Sequence, residues 1–160
     1  MILLKFATEI KGDSTVDGHT DWITIDSLQL GVGRAISASG GGADRETSNP
    51  SFSEVTLSKS MDKASTDLMM QATCGKSLGD ATIEFIQTGG SDAKGQAYLT
   101  YTLSECVVSS YSCNSGGERP SETISLNFNK FKQQYNTFTD AGKVSKGDAK
   151  GWDLKKNEAL

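Results

Sequence analysis

Apolar side chains recur at every second position along much of the chain: Ile23 and Ile25, Val55 and Leu57, Ile83 and Phe85, then Leu99, Tyr101 and Leu103, then Ile124, Leu126 and Phe128. A half-buried strand sends alternate side chains into a core, so this period predicts strands, with the last two as long central ones. Two of the runs change phase. Ile25 gives way to Leu28, Leu30 and Val32, and Phe128 gives way to Phe131, an odd spacing that a straight strand cannot hold against one core. Each slip predicts a bulge or sharp bend of the kind that curls a sheet into a barrel. The segment 65–74 has a helical pattern instead. Ser65 stands where it can cap the first turn, Asp67 favours the helix dipole, and Gly75 offers the left-handed residue that ends a helix. Leu68, Met69 and Ala72 lie on neighbouring rows, so a single short helix packed on a sheet is expected, with Met69 and Met70 as core filler.

Polar stretches separate these elements at 12–20, 39–49, 89–95, 113–121 and 139–151. The second reads S-G-G-G-A-D-R-E-T-S-N and holds no apolar anchor larger than Ala43, so it needs a partner surface to order it. With 160 residues and no internal repeat, the chain is expected to form one domain over 1–160. Gly, Ser and Thr fill about a third of the positions against 2 Pro, which excludes a helical bundle or coiled coil. No apolar run approaches the roughly 20 residues of a membrane span, so no membrane insertion is expected. The opening four-residue apolar run leads straight to Lys5 without the hydrophobic region of a cleavable signal peptide, which points to cytoplasmic synthesis without one. A net charge of −4 argues against a polyanionic partner such as nucleic acid. The locally basic end with Lys143, Lys146, Lys150, Lys155 and Lys156 reads as a solvated face, since no recognition helix or aromatic ladder accompanies it.

Little in the chain points to catalysis. His19 is the single histidine, and in a Gly-rich loop before Trp22 a structural hydrogen bond is its expected role. No G-x-S-x-G elbow supports a Ser-His-Asp triad. Cys74, Cys106 and Cys113 are odd in number and lack C-x-x-C spacing, so neither a disulfide framework nor a zinc site is expected, and Cys106 before Val107 and Val108 reads as a small buried hydrophobe. Gly40-Gly41-Gly42 lacks the Lys and Ser or Thr of a phosphate loop. No catalytic residue, metal or cofactor is therefore assigned. The strands do carry uncharged polar side chains opposite their apolar ones: Thr56, Ser58 and Ser60; Thr100, Thr102 and Ser104; Ser125, Asn127 and Asn129. Such faces suit an ordinary hydrated surface or a wall along which other molecules pass.

Specific residues add a resemblance. The stretch F-A-T-E-I-K-G-D-S-T-V-D-G-H-T-D-W from Phe6 to Trp22 resembles the K-G-E-S-x-D-x-x-H opening of the Hcp family, the hemolysin-coregulated tube proteins of the type VI secretion system. Ser51 to Lys59 followed by M-D-K-A-S-T-D-L-M-M is similar to that family's strand and its D-K-x-S-x-x-L-M helix start. L-S-E-C-V-V-S-S from Leu103, Gly116-Gly117-Glu118, E-T-I-S-L-N-F from Glu122 and Gly151-Trp152 match later blocks in the same order. The resemblance implies a mainly β, compact β-barrel-like domain of two curved sheets with one short lateral helix, assembling as a hexameric ring. It implies a homo-hexamer whose rings stack into an inner tube, with a VgrG-like spike protein, sheath and baseplate proteins and effector cargo as partners, and secretion to the medium or a target cell through that apparatus. The loop 39–49 then becomes a ring-stacking or subunit-interface element, with Gly40, Gly41, Gly42, Asp44, Arg45 and Glu46 as its contact residues. Gly31, which takes the place of a serine that some members direct at the channel, joins Thr100, Thr102, Ser104, Ser125 and Asn127 as expected channel-facing positions. A phage-like tail-tube protein is the nearest alternative. A ligand-binding β-barrel monomer and a small secreted hydrolase using His19 with Asp17 or Asp21 are competitors of other classes.

Overall fold

A computed structural model of the chain describes residues 1–36, 48–87, 95–139 and 142–160. Its strands are β1 (Ile2–Phe6), β2 (Ile23–Ile25), β3 (Ser27–Gln29), β4 (Val32–Gly33), β5 (Ser51–Phe52), β6 (Val55–Ser60), β7 (Ala81–Gln87), β8 (Gln96–Ser104), β9 (Val107–Asn114), β10 (Ser121–Asn127), β11 (Lys130–Phe138), β12 (Val144–Lys146), β13 (Lys150–Asp153) and β14 (Glu158–Ala159), with helix α1 (Ser65–Cys74) between β6 and β7. Among the described residues they form an eight-stranded sheet, β14-β13-β11-β8-β7-β1-β2 with β12 also on β11, and a four-stranded sheet, β3-β6-β10-β9; β4 and β5 pair as a small ribbon. Every pairing is antiparallel.

The two layers enclose one core, in which Leu4, Phe6, Ile23 and Ile83 of the larger sheet meet Val55, Leu57, Ile124 and Leu126 of the smaller. Both expected phase slips are places where the chain changes layer. β2 belongs to the larger sheet and β3 to the smaller, and the turn between them is fixed where Asp26 N donates to Ser58 O at 2.8 Å. β10 likewise passes into β11 through Phe128 and Asn129, where Asn129 N donates to Ser104 O at 3.0 Å. A third crossing joins β8 to β9 through Glu105, which takes a left-handed φ of 53°, and Cys106, whose N–H donates to Gly79 O at 2.8 Å. The layers curve towards each other at these corners without closing into a full barrel.

α1 packs on β9 and buries Ser65 and Leu68. Gly75 ends it in the left-handed conformation, φ 64°, as expected. Two expectations are corrected. The helix start is held by Asp62, whose Oδ1 accepts the Ala64 N–H at 2.9 Å, while Ser65 turns back to accept the Asp62 N–H at 2.9 Å. Met69 and Met70 are not core filler but stand 47% and 50% exposed, because one buried row suffices for a ten-residue helix lying on the rim of a sheet. The expected loop 139–151 also contains β12 and the start of β13, whose polar, mostly exposed residues carry no period-two signal.

Candidate functional site

The strand register of the smaller sheet assembles a surface that no single strand reveals. Ser27, Ser58, Thr123 and Ser112 lie in one row across β3, β6, β10 and β9; Gln29, Thr56, Ser125 and Ser110 form the next; Ser60, Ser121 and Asn114 form a third. Their side chains share the outward phase, opposite the buried Leu57, Ile124 and Leu126. The rows are hydroxyl and amide throughout, with no charged side chain and no large apolar one. Some of this polarity is satisfied within the wall, since the Ser27 and Ser58 hydroxyls hydrogen bond at 2.5 Å. A bulge between Ser125 and Leu126 adds Ser109, whose hydroxyl donates to Glu54 Oε2 at 2.7 Å and lies 3.1 Å from the Ser125 carbonyl. Asn127 donates to the other Glu54 oxygen at 3.3 Å, so a carboxylate marks one rim of the wall; at another, Ser60 donates to Asp26 at 3.4 Å.

Behind this neutral face the same strands bury an ion pair. Lys59 and Glu122 are register partners on the core side, both fully buried, with Nζ to Oε2 at 2.6 Å. Lys59 also donates to Asp62 Oδ1 at 2.8 Å and to the Ser60 carbonyl at 2.9 Å, with Ser65 Oγ 3.3 Å from its Nζ. Tyr111 on β9 donates its hydroxyl to Glu122 Oε1 at 2.5 Å. Burial raises the Glu122 pKa, but the hydrogen bonds from Lys59, Tyr111 and Ser65 outweigh it and hold the carboxyl below its ordinary value; burial and the Glu122 charge push the Tyr111 phenol up. Three strands and the helix start are thereby pinned behind the wall, as a buried charge demands compensating partners.

The expected channel positions fall into groups. Ser125 and Asn127 lie on the neutral wall. Thr100, Thr102 and Ser104 lie on β8 of the other sheet, where Thr102 pairs across to Thr82 and Lys132, Thr100 to Glu84 and Gln134, and Ser104 to Lys130, so their face is charged. Gly31 is exposed just past β3, its N–H donating to Ser53 Oγ at 2.8 Å. The loop residues Gly40, Gly41, Gly42, Asp44, Arg45 and Glu46 lie outside the described residues, although their stem is seen: β4 and β5 pair, and Ser48 N donates to Ala35 O at 3.0 Å. Missed from sequence were the wall residues of β3 and β9. β3 has only three residues, and β9 past Val108 reads Ser-Ser-Tyr-Ser-Cys-Asn, where an inward Tyr111 bound to Glu122 replaces the aliphatic signal. Its register opposite β10 was the missing information.

His19 does make a structural hydrogen bond, but to Glu84 and not to Asp17 or Asp21: Nε2 lies 2.6 Å from Glu84 Oε2, and the ring meets Trp22 edge-on at 4.7 Å. Its other ring nitrogen is buried and, among the described residues, has no hydrogen-bond partner. The pair fastens the 12–22 loop over β7. All three cysteines are free thiols; Cys106 is buried, and burial with the nearby Asp80 charge pushes its pKa up to about 12. Among the described residues, no three His, Cys, Asp or Glu side chains are gathered as metal ligands would be.

Comparison with known proteins places this architecture. The family model described as "Type VI secretion system effector, Hcp" matches residues 4–135. The curated protein hcp1 of Pseudomonas aeruginosa is 34% identical over 107 residues, a stretch that spans 65% of this chain and 65% of that protein. A solved type six secretion system protein superimposes with a TM-score of 0.89 at 28% identity, covering 99% of this chain and 98% of that one. Hcp1 from Salmonella typhimurium shares the fold with a TM-score of 0.76 at 24% identity, covering 99% and 97%.

Proposed function

Because the chain belongs to the Hcp family of type VI secretion system effectors, we propose that it works as a mechanical subunit: six copies close head to tail into a ring, rings stack into an inner tube, and the four-stranded sheet of each copy faces the hole. The tube is driven outward with a VgrG-like spike by a contractile sheath mounted on a baseplate, and effectors travel within it or on its rings. The protein leaves the cell with the apparatus. No covalent chemistry is asked of the chain.

The observation that carries this reading is the neutral wall. A face whose rows are all hydroxyl or amide offers a passing protein neither an apolar patch to adhere to nor a charge of one sign to be trapped by, so contacts stay weak and exchange with water. The edges of that sheet, β3 and β9, stand at its two sides, so a heterologous contact that brings β9 of one copy beside β3 of the next extends the wall and covers both edges. Thr100, Thr102 and Ser104 then belong to the outward sheet, and the 39–49 loop to contacts between subunits or successive rings.

Cysteine accessibility tests this directly. In a Cys74→Ser, Cys113→Ser background, a cysteine at Thr123 on the wall is compared with one at Thr102 on the other sheet, using a bulky polymer-linked maleimide on tubes verified by electron microscopy. Protection of position 123 and labelling of position 102 are expected. The reverse pattern turns the subunit inside out and overturns the assignment; featureless monomers by microscopy and sedimentation overturn the ring itself.

A further inference from the structure

The larger sheet outruns the smaller one that covers it. Along β8 the core-facing side chains pass from fully buried Leu103 to half-buried Tyr101 and Leu99, and Tyr135, the β11 partner of Leu99, is 57% exposed. The uncovered end is a groove of 550 Å³ whose apolar walls include Leu28, Leu30, Phe85, Leu99 and Tyr101, with the 61% exposed Val32 at its lip. A second hollow of 400 Å³ continues it, sharing Val32 and Phe131 and bringing in Asp148 and Lys150.

On another side of the molecule is a second uncovered apolar feature, the Met69 and Met70 pair on α1, flanked by exposed Asp67 and Lys76. Strand order relates the two. α1 packs on β9, at one edge of the four-stranded sheet, while the groove opens beside β3 and the residues following it, at the other edge. In any head-to-tail closure that sets β9 of one copy beside β3 of the next, the helix side of one subunit meets the groove side of its neighbour.

We infer that Met69 and Met70 of one subunit seat in the aromatic groove of the adjacent subunit, making this the principal apolar contact that closes the ring. The inference rests on the ring reading above. Flexible thioethers fill an irregular hollow and interact favourably with aromatic ring edges, and the charges agree, since Asp67 and Lys76 beside the methionines find Lys150 and Asp148 along the groove. The contact is heterologous, with knob and hole on different parts of the same chain, as a closed ring requires. It also accounts for two bare apolar features on one soluble subunit.

The test compares the parent protein with Met69→Glu/Met70→Glu and, from the other side, Val32→Glu, by sedimentation velocity at equal concentration, with circular dichroism as the folding check. Both sites are about half exposed or more, so folded variants are expected, with the ring replaced by a species near 17 kDa. Met69→Leu/Met70→Leu should retain the ring. A second measurement uses Met70→Cys with Val32→Cys in the Cys74→Ser, Cys113→Ser background, where oxidation should give a ladder of covalent multimers ending at the closed ring. A parent protein that forms rings while the glutamate variants assemble equally well and the cysteine pair gives no ladder overturns this contact and leaves the ring standing. A parent that stays monomeric overturns both.

Discussion

Lys59 and Glu122 make the most demanding test of the core. Lys59→Met leaves the Glu122 carboxylate with Tyr111 and Ser65 but no cation; Glu122→Gln leaves the Lys59 ammonium with Asp62 at 2.8 Å but without its closest partner at 2.6 Å. Both side chains are fully buried, so neither remaining charge can recruit water. Removing one member of such a pair costs about 3–5 kcal/mol, against a total stability of about 5–15 kcal/mol for a domain. With a urea slope of about 2 kcal/mol per molar, each single variant should lower the unfolding midpoint by about 2 M. Lys59→Met/Glu122→Gln removes the charges together and should cost less than the two single losses added, by a coupling of about 2 kcal/mol. Equilibrium urea unfolding followed by tryptophan fluorescence measures all four proteins. Single losses below about 1 kcal/mol that simply add in the double variant would refute the claim that this pair pins the wall.

Acid should act on Glu122 of this pair and on a second carboxylate, Asp153: both have folded pKa values below their ordinary ones, the latter because the Lys156 and Lys155 backbone N–H groups, against burial, bind its carboxylate. The unfolded chain therefore takes up these protons first as pH falls, so their contribution is complete above the ordinary carboxylate range and is lost through it towards the depressed values; the melting temperature should drop between about pH 6 and pH 3, less steeply in Glu122→Gln. Gly12→Ala should abolish soluble expression or cost several degrees of melting temperature, because a Cβ there would lie 2.3 Å from the Trp22 carbonyl, whereas Gly31→Ser, whose nearest neighbour is Ser53 Oγ at 3.6 Å, should stay within about 0.5 kcal/mol of the parent. His19→Ala should remove about 2 kcal/mol by freeing the loop from Glu84, a fall of about 4–8 °C by calorimetry, with ring assembly of the folded protein intact.

Much of the fold was legible because it rests on local pattern. The slips at Ile25 to Leu28 and Phe128 to Phe131 mark two corners, and Gly75 marks the helix end. The third corner carries a similar odd spacing, Leu103 to Cys106, but an ordinary-looking Glu105 occupies the left-handed position where Gly or Asn would have announced a turn. The helix start is not legible because Ser65 and Asp62 both suit a cap, and only the fold shows that Asp62 accepts the Ala64 N–H while Ser65 accepts that of Asp62. The wall was half legible. Alternation reveals which side chains of β6 and β10 point outward, but period two is blind to which strands lie next to which. It therefore grouped Thr100 and Thr102 with Ser125, although long-range pairing sends them to opposite layers.

The three corners have a mechanical meaning. Since β2 runs on into β3, β8 into β9 and β10 into β11, the layers are stitched by covalent chain at three tight seams, besides the longer passage from β6 through α1 to β7, as well as glued by apolar contact. In the proposed tube, a thrust delivered to one layer reaches the other through backbone, and the layers cannot delaminate or slide without unravelling the subunit. If the subunit is pushed from one surface while cargo rides along the other, as proposed, that stitching supplies the stiffness such work requires.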